Sequence, residues 1–366
     1  MTATHDLIQH RNLTLMLTYR CNAQCAECGT FSSPHDKNDI TLETGLSAID
    51  WANDCGLKQV IFTGGEPSLR WDDLVTCIRR AKSYNMATRI VSNAQWAVSP
   101  EAAEKGIREL MDAGLDEINY STGDEHVRFI PLPNVLNAIR ASVRARMPTA
   151  LMFELRANSR VDEKQLLADI ETLASKELMD KHFTFIRSPW MPIRPDNVAE
   201  YPDGLYANKQ NVAHRRGCES ILSNYVVQGS GKIAPCCGLG MRTVPELQIG
   251  DALTMPEDGK NPLAKAIEEG ESDLFLYALH KIGPEKIVAW AAQKDPTIKW
   301  ENMYAHRCQA CMRIYRDPKV KSVIIEHIQE LMAEMVYGGM VLRKFEQLAA
   351  EALSAEPAQA EFSHYV

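Results

Sequence analysis

Three cysteines near the start of the chain constrain it most: Cys21, Cys25 and Cys28 follow a short apolar run. Thiolates spaced C-x3-C-x2-C in one loop suit an iron–sulfur cluster, because soft sulfur ligands select iron–sulfur or zinc centres over hard cations. A zinc ion would require a fourth soft ligand nearby, whereas the next cysteine, Cys55, falls in a helical pattern. The loop therefore predicts a four-iron cluster in which one iron lacks a protein ligand and can bind a small molecule.

Composition limits the class of protein and its partners. The chain has 366 residues, enough for one large domain and a smaller one. No segment approaches the roughly 18 apolar residues of a membrane span, and the first residues lack the pattern of a secretory signal. We therefore expect a cytoplasmic protein without a membrane partner. The formal net charge of −8 argues against a nucleic-acid partner, because phosphate binding requires clustered Lys and Arg.

The ten cysteines fall into two groups. Cysteines in a reducing compartment are more often metal ligands or catalytic groups than disulfides. Cys55 and Cys77 stand alone in helical patterns and are interpreted as small buried apolar residues. The grouping predicts two metal sites rather than a disulfide framework. The second group consists of Cys218, Cys236, Cys237, Cys308 and Cys311.

Strand and helix patterns alternate between residues 13 and 187. Short connections between them imply right-handed βαβ units and a parallel sheet. Six strands of this kind give either a partial TIM-like (βα)6 barrel or an open doubly wound sheet, and in both the loops after the strands line the ligand face. The predicted strands are 13–18, 58–63, 87–92, 116–121, 150–155 and 182–187, and the predicted helices are 43–54, 72–84, 100–113, 133–146 and 162–176.

A second motif, Gly64-Gly65-Glu66-Pro67, directly follows the second predicted strand. Two glycines let the backbone approach a ligand closely, and Glu66 places a carboxylate at the edge of the sheet. Taken alone, a glycine turn with a surface glutamate is the simpler interpretation. Combined with a cysteine loop after the first strand of a (βα)6 pattern, the motif becomes specific.

In these two motifs and the order of its elements, the segment from about residue 10 to 190 resembles the radical S-adenosylmethionine (radical SAM) superfamily. The resemblance implies an α/β fold with a partial (βα)6 barrel. It implies that Cys21, Cys25 and Cys28 hold a [4Fe–4S] cluster whose open iron chelates SAM. It also implies an enzyme that reductively cleaves SAM to a 5′-deoxyadenosyl radical, which abstracts hydrogen from substrate, with an electron donor such as flavodoxin or ferredoxin.

The resemblance extends to residues that would contact SAM. Gly65 and Glu66 would receive its amino group, and polar residues that end the third and fourth strands would contact its ribose and methionine parts. Arg156 could pair with the ligand carboxylate, although a barrel-rim arginine is an equal alternative. Many family members carry an aromatic residue before the third cysteine, where this chain has Glu27. The cofactor-binding candidates are Gly64, Gly65, Glu66, Pro67, Ser92, Asn93, Ser121, Arg156 and Phe31, which is the ring nearest to Glu27 in the sequence.

Two further candidates follow the fourth predicted strand on the same edge. Asp124 and His126 could act as a general base or contact the substrate. For His126, a histidine satisfied within its loop is the alternative interpretation.

The second cysteine group resembles the auxiliary-cluster extension of the superfamily in its short, single-cluster form, called twitch. The longer SPASM form has further cysteines that this chain lacks. The resemblance implies a second [4Fe–4S] cluster, and a structural zinc site remains the alternative. Cys237 could replace Cys236 as a ligand or face the substrate. The implied ligands are Cys218, Cys236, Cys308 and Cys311.

The expected domains are a radical SAM barrel at 1–190, a twitch/SPASM-like domain at 191–317 that is loop-rich and helical, and C-terminal helices with a tail at 318–366. A proline-rich connector, Ser188-Pro-Trp-Met-Pro-Ile-Arg-Pro195, separates the first two. Relatives with auxiliary clusters often crosslink or epimerise ribosomally made peptides, and this is the leading functional hypothesis. The alternatives are an oxidoreductase acting on a small alcohol or sugar, and a non-catalytic iron–sulfur or zinc-binding scaffold.

Overall fold

The computed structural model describes residues 11–189 and 200–336. Its first part is an alternation of parallel strands and helices, and the elements predicted from sequence periodicity are confirmed within two residues, apart from the fifth helix. These elements are β1 Asn12–Met16, α1 Leu42–Asp54, β2 Gln59–Thr63, α2 Trp71–Ser83, β3 Ala87–Ser92, α3 Pro100–Ala113, β4 Glu117–Thr122, α4 Leu132–Arg144, β5 Thr149–Glu154, α5 Glu163–Glu171, α6 Lys176–His182 and β6 Phe183–Ser188.

The predicted single helix at 162–176 is wrong, because two short helices occupy this stretch. α5 ends at Glu171, and the hydroxyl of Thr172 donates to the carbonyl of Asp169. α6 then begins after Ser175, whose side chain accepts a hydrogen bond from the N–H of Leu178. Side-chain caps of this kind compete with continuation of the helix.

The order of the strands decides between the two predicted architectures. Neighbouring strands run β6-β5-β4-β3-β2-β1, and each of these pairs is parallel. A doubly wound sheet reverses its order at a switch point, whereas every crossover here moves to the same side. The fold is therefore a partial (βα)6 barrel. Its core lies between the sheet and the helices, where Leu13, Leu15 and Phe62 are fully buried.

The second part of the chain adds strands to the same sheet. β7 pairs with β1 in parallel, and β8 and β9 continue the sheet in antiparallel order. The region predicted as a separate auxiliary domain thus shares the sheet of the barrel, through a four-residue strand with little local signal. Its elements are β7 Asn224–Val227, β8 Lys232–Ala234, α7 Gly240–Thr243, β9 Gly250–Asp251, α8 Pro262–Ser272, α9 Leu274–Lys281, α10 Pro284–Lys294, α11 Arg307–Arg316 and α12 Pro318–Glu326.

Several predicted features lie outside the described residues. These are most of the proline-rich connector, at 190–195, and the helix and tail expected after residue 336. The division into three domains stays a prediction. In the described ranges, no helix combines the length and apolar character that a bilayer crossing demands.

Candidate functional site

The two motifs meet at the carboxyl edge of β1 and β2. The N–H of Gly65 donates to the carbonyl of Thr18 at 2.8 Å, and the N–H of Glu66 donates to the carbonyl of Arg20 at 2.9 Å. A Cβ atom at either Gly64 or Gly65 would collide with these same backbone carbonyls. The glycines are thus required by the backbone entering the cysteine loop, whereas the sequence led us to expect that they admit a ligand.

Glu66 is buried and its carboxylate is held by three donors. They are the N–H of Ser68 at 3.1 Å, the hydroxyl of Ser92 at 2.9 Å and the N–H of Asn93 at 2.8 Å. Burial raises the pKa of Glu66, while these hydrogen bonds act to lower it. Because Glu66 and Pro67 begin the short helix that follows β2, the carboxylate ties the end of β2 to the end of β3.

The end of β3 also contacts the cysteine loop. The side-chain amide of Asn93 donates to the side-chain oxygen of Asn22 at 2.9 Å and lies 3.7 Å from the sulfur of Cys21. The hydroxyl of Ser92 is fully engaged, since it also accepts from Trp96 and from a backbone N–H. Asn93 therefore orients the loop, and Ser92 supports Glu66. Ser121 lies half-buried near the end of β4.

The thiols of the first group share one electrostatic environment. Burial raises the pKa of Cys21 to about 12, and the charges of Glu66 and Cys28 act in the same direction. Burial likewise raises the pKa of Cys25, with contributions from Cys28 and Cys21. The sulfur of Cys28 accepts from the N–H of Ser32 at 3.3 Å. When deprotonated, the three sulfurs would repel one another. They therefore fit a positively charged iron centre, which would stabilise all three thiolates.

Arg156 binds carboxylates of the chain itself. Its guanidinium lies 2.7 Å from Glu27 and 3.9 Å from Glu125, and it also pairs with Glu154. Burial raises the pKa of Glu27 to about 7, although Arg156 acts to lower it. The carboxylate of Glu125 also accepts from the N–H of Ala26, inside the cysteine loop, at 2.8 Å. This buried network holds the cysteine loop from the side of β4 and β5. Its one signal in the sequence was Glu27, which stands where an aromatic residue was expected.

Asp124 and His126 lie at the predicted edge of the sheet. Their surroundings differ from those expected of an uncommitted general base. The carboxylate of Asp124 accepts from the hydroxyl of Ser159 and from the N–H groups of Arg160 and Val161, all at about 3.0 Å. These donors lower the pKa of Asp124 against the effect of burial and fasten the loop after β5. Burial lowers the pKa of His126 to about 4, so its imidazole is neutral near pH 7. Their catalytic assignment stays a prediction.

Phe31 adopts a left-handed backbone conformation with φ of 54° just after the cysteine loop. Its carbonyl, and that of Thr30, accept hydrogen bonds from the guanidinium of Arg242 at 3.0 and 3.1 Å. Arg242 belongs to α7, in the second part of the chain. Nothing in the local sequence pattern singled out Arg242, because its partners lie about 210 residues away.

The predicted ligands of the second group influence one another electrostatically. Burial raises the pKa of Cys236 well above its usual value, and the charges of Cys237, Cys308 and Cys218 add to this effect. The pKa of Cys311 is raised in the same way, by burial and by Cys236, Cys308 and Cys218. Cys237 takes part in the same electrostatic group and also contacts the hydroxyl of Ser220 at 3.1 Å.

The second group is held by the start of α11 and by a glycine. His306 caps this helix by accepting from the N–H of Cys308 at 3.2 Å, and burial lowers its pKa to about 4. The sulfur of Cys308 lies so close to Gly238 that a Cβ there would approach it to 2.8 Å. Across residues 11–189 and 200–336, no three His, Cys, Asp or Glu side chains are spaced to hold a single metal ion.

The sequence is similar to a known family and to several known proteins. Residues 15–149 match the family model described as the Radical SAM superfamily. A protein of Bacillus subtilis (strain 168) named "Putative peptide biosynthesis protein YydG" is 20% identical over 280 residues, or 75% of this chain and 82% of YydG. A "Probable GTP 3′,8-cyclase" of Thermococcus kodakarensis (strain ATCC BAA-918 / JCM 12380 / KOD1) is 30% identical over 238 residues, or 58% of this chain and 73% of that protein.

The fold also matches a solved structure, "Native anSMEcpe with bound AdoMet and Cp18Cys peptide". The TM-score is 0.51 at 12% identity, and the match covers 90% of this chain and 99% of that one. This likeness concerns the fold alone. The family match and the 30% identity to the protein of Thermococcus kodakarensis, over 73% of its length, lead to one conclusion. The chain belongs to the radical SAM superfamily.

Proposed function

We propose that the protein is a two-cluster radical SAM enzyme that modifies a peptide. The observation that carries the proposal is the junction of Cys21, Glu66 and Asn93, where the ends of the first three strands support one cysteine loop. A bound [4Fe–4S] cluster and SAM would supply reductive cleavage of SAM and a 5′-deoxyadenosyl radical for hydrogen abstraction. Cys21, Cys25 and Cys28 would hold that cluster.

The surrounding residues would fix the geometry of this site. Glu66 is committed to Ser92 and Asn93, so we assign it to shaping the edge that receives SAM. Gly64, Gly65 and Pro67 act through the backbone turn. Phe31 remains the candidate ring for adenine and Ser121 a candidate polar contact. Arg156 would neutralise the carboxylates beneath the loop rather than pair with SAM.

We assign a second [4Fe–4S] cluster to Cys218, Cys236, Cys308 and Cys311. Support comes from the mutual electrostatic influence of these buried thiols. A zinc ion draws its sulfur ligands in to about 2.3 Å from one centre. A structural zinc ion at the same four cysteines is the alternative, and the iron content measured below separates the two. The exposed Cys237 is left to face the substrate side.

The first experiment tests SAM cleavage and iron content. Full-length protein is reconstituted anaerobically and given dithionite and SAM, and 5′-deoxyadenosine should form. About eight irons per chain are expected from two cubanes. Alanine at both Cys218 and Cys308 should lower this to about four, whereas alanine at the lone Cys77 should leave it unchanged. Absence of 5′-deoxyadenosine contradicts the enzyme hypothesis, and unchanged iron in the double variant contradicts the second cluster.

A peptide substrate is favoured by the name of YydG, whose match covers most of both chains. Oxidation of a small alcohol or sugar is the alternative. Mass spectrometry separates these possibilities when the reconstituted enzyme is incubated with peptides encoded near its gene and, separately, with a panel of alcohols and sugars. A peptide that loses 2 Da and gives crosslinked fragments, or one that keeps its mass in H2O and gains about 1 Da in D2O through epimerisation, supports the first assignment. Turnover of a panel alcohol or sugar with no change in any peptide contradicts it.

A further inference from the structure

Arg242 reaches from the second cysteine region to the first cysteine loop. It lies five residues after Cys237, in α7. Besides the carbonyls of Thr30 and Phe31, its guanidinium binds the carboxylate of Asp36 at 2.5 Å. Its central carbon stands 3.9 Å from the centre of the Tyr19 ring. Both terminal nitrogens of the guanidinium therefore bind a single segment of chain, residues 30–36. One face of the guanidinium packs on Tyr19, which follows β1.

The segment that Arg242 holds is in direct contact with the third cysteine. The hydroxyl of Thr30 lies 3.3 Å from the sulfur of Cys28 and donates to the carbonyl of Gly64 at 3.0 Å. A shift of Thr30 would therefore move both a proposed cluster ligand and the glycine turn. Phe31, the candidate ring for adenine, follows immediately and has a strained φ that its surroundings must maintain.

The next residue of α7, Thr243, contacts α11, the helix that carries two proposed ligands of the second group. The carbonyl of Thr243 accepts from the guanidinium of Arg316 in α11 at 3.4 Å. The hydroxyl of Thr243 donates to the carbonyl of Leu239 at 3.2 Å and lies 3.7 Å from the sulfur of Met312, which directly follows Cys311. A buried chain runs in parallel: the hydroxyl of Tyr19 donates to Gln228 at 2.5 Å, and the amide of Gln228 donates to the carbonyl of Met241. α7 is thus attached to both cysteine regions by contiguous contacts.

We propose that Arg242 is a positioning residue that couples the second cysteine group to the SAM-binding face of the first, by fixing the chain that leaves Cys28. The inference rests on the proposed function and extends it, since it makes SAM binding depend on an intact second site. Coupling of this kind needs an element in contact with both sites, and α7 meets that requirement.

The experiment compares Arg242→Gln and Arg242→Lys with a matched control, Arg144→Gln. The control also removes a guanidinium that donates to a backbone carbonyl, that of Leu173, but in α4. In full-length reconstituted protein, the KM for SAM in 5′-deoxyadenosine formation should rise by about tenfold or more for Gln at unchanged kcat, because several charge-assisted hydrogen bonds are lost. Lys should restore part of this loss, and the control should match wild type.

Coupling is measured by adding Cys308→Ala to each background. In the wild-type background, Cys308→Ala should raise the KM for SAM. In the Arg242→Gln background, it should have no further effect on this KM. An equal factor in both backgrounds would overturn the proposal, as would an unchanged KM in Arg242→Gln. A kcat that falls at unchanged KM would also contradict it.

Hydrogen exchange gives a readout that does not require turnover. In the protein as reconstituted, amides at 28–38 should exchange faster in Arg242→Gln and in Cys308→Ala, and no faster in the double variant than in Arg242→Gln alone. Additive acceleration would show that the two regions act independently and would reject the coupling. If wild-type protein forms no 5′-deoxyadenosine while this exchange pattern holds, the proposed function fails and the coupling stands.

Discussion

The backbone N–H of Asn93 donates a 2.8 Å hydrogen bond to the carboxylate of Glu66, so the end of β3 is fastened to the turn after β2. Replacing Glu66 with Gln offers an NH2 group in place of one oxygen and leaves a buried donor without an acceptor. The free energy of unfolding of the apoprotein should fall by about 1–3 kcal/mol. Urea denaturation measures this change. Glu104→Gln, on the exposed side of α3, is the control, and an equal effect of the two substitutions would contradict the assignment.

Arg156→Met should destabilise the apoprotein by about 3 kcal/mol at pH 8. The substitution leaves Glu27 and Glu154 buried without their cation. The loss should shrink towards pH 5, where these carboxylates can take up protons. Denaturation curves at both pH values measure it. Arg187→Met removes an exposed pair with Glu163 and should cost less than about 1 kcal/mol, so equal losses for the two arginines would disprove the role of Arg156.

Gly238→Ala should damage the second cluster selectively. The new methyl group would lie 2.8 Å from the sulfur of Cys308 and must displace it. Iron content after reconstitution should fall from about eight towards about four per chain, as for loss of one cubane. Gly29→Ala, in the first cysteine loop, meets no atom within 4 Å and should retain full iron. Full iron in Gly238→Ala would refute the placement of Cys308 as a ligand.

His126 should make the apoprotein sensitive to acid. Burial lowers its pKa in the folded state to about 4, against about 6.5 in the unfolded chain. Between these two pKa values the unfolded state binds more protons than the folded state. The contribution of neutral His126 to the free energy of unfolding is therefore present above pH 6.5 and is lost as the pH falls towards 4. Wild type should lose up to about 3 kcal/mol more than His126→Gln over this range.

The comparison for His126 is made by urea denaturation at a series of pH values. His214→Gln, at an exposed position in a short helical turn, should keep the wild-type dependence. If the free energy of unfolding of wild type and of His126→Gln falls in parallel as the pH is lowered, the buried imidazole does not control the loss of stability in acid.

The sequence predicted the barrel strands and the position of both motifs because these features depend on local periodicity and spacing. The contacts within the site were beyond its reach. Glu66 and Asn93 are joined by strand order, which periodicity does not specify. For Arg156 the sequence left a ligand contact and a barrel-rim position as equal alternatives, because its partners Glu27 and Glu154 come from different loops and strands.

The second cysteine group was visible as a cluster of residue types, whereas its attachment to the barrel was not. β7 has four residues, too few for a reliable pattern, and its pairing with β1 is set by tertiary contacts. The same reason hid Arg242, whose partners are fixed only when α7 comes to lie beside the first cysteine loop.

The pairing of β7 with β1 has a consequence for the order of events during biosynthesis. β1 leads directly into the first cysteine loop, yet its second neighbour begins at Asn224, more than 200 residues later. At about 5–20 residues per second, translation takes roughly ten seconds or longer to supply that strand. Until then β1 is an open sheet edge and Tyr19 lacks Gln228. Iron delivery to the first loop should therefore follow synthesis of β7, and scaffold proteins that load it must act on a chain in which β1 is already paired on both sides.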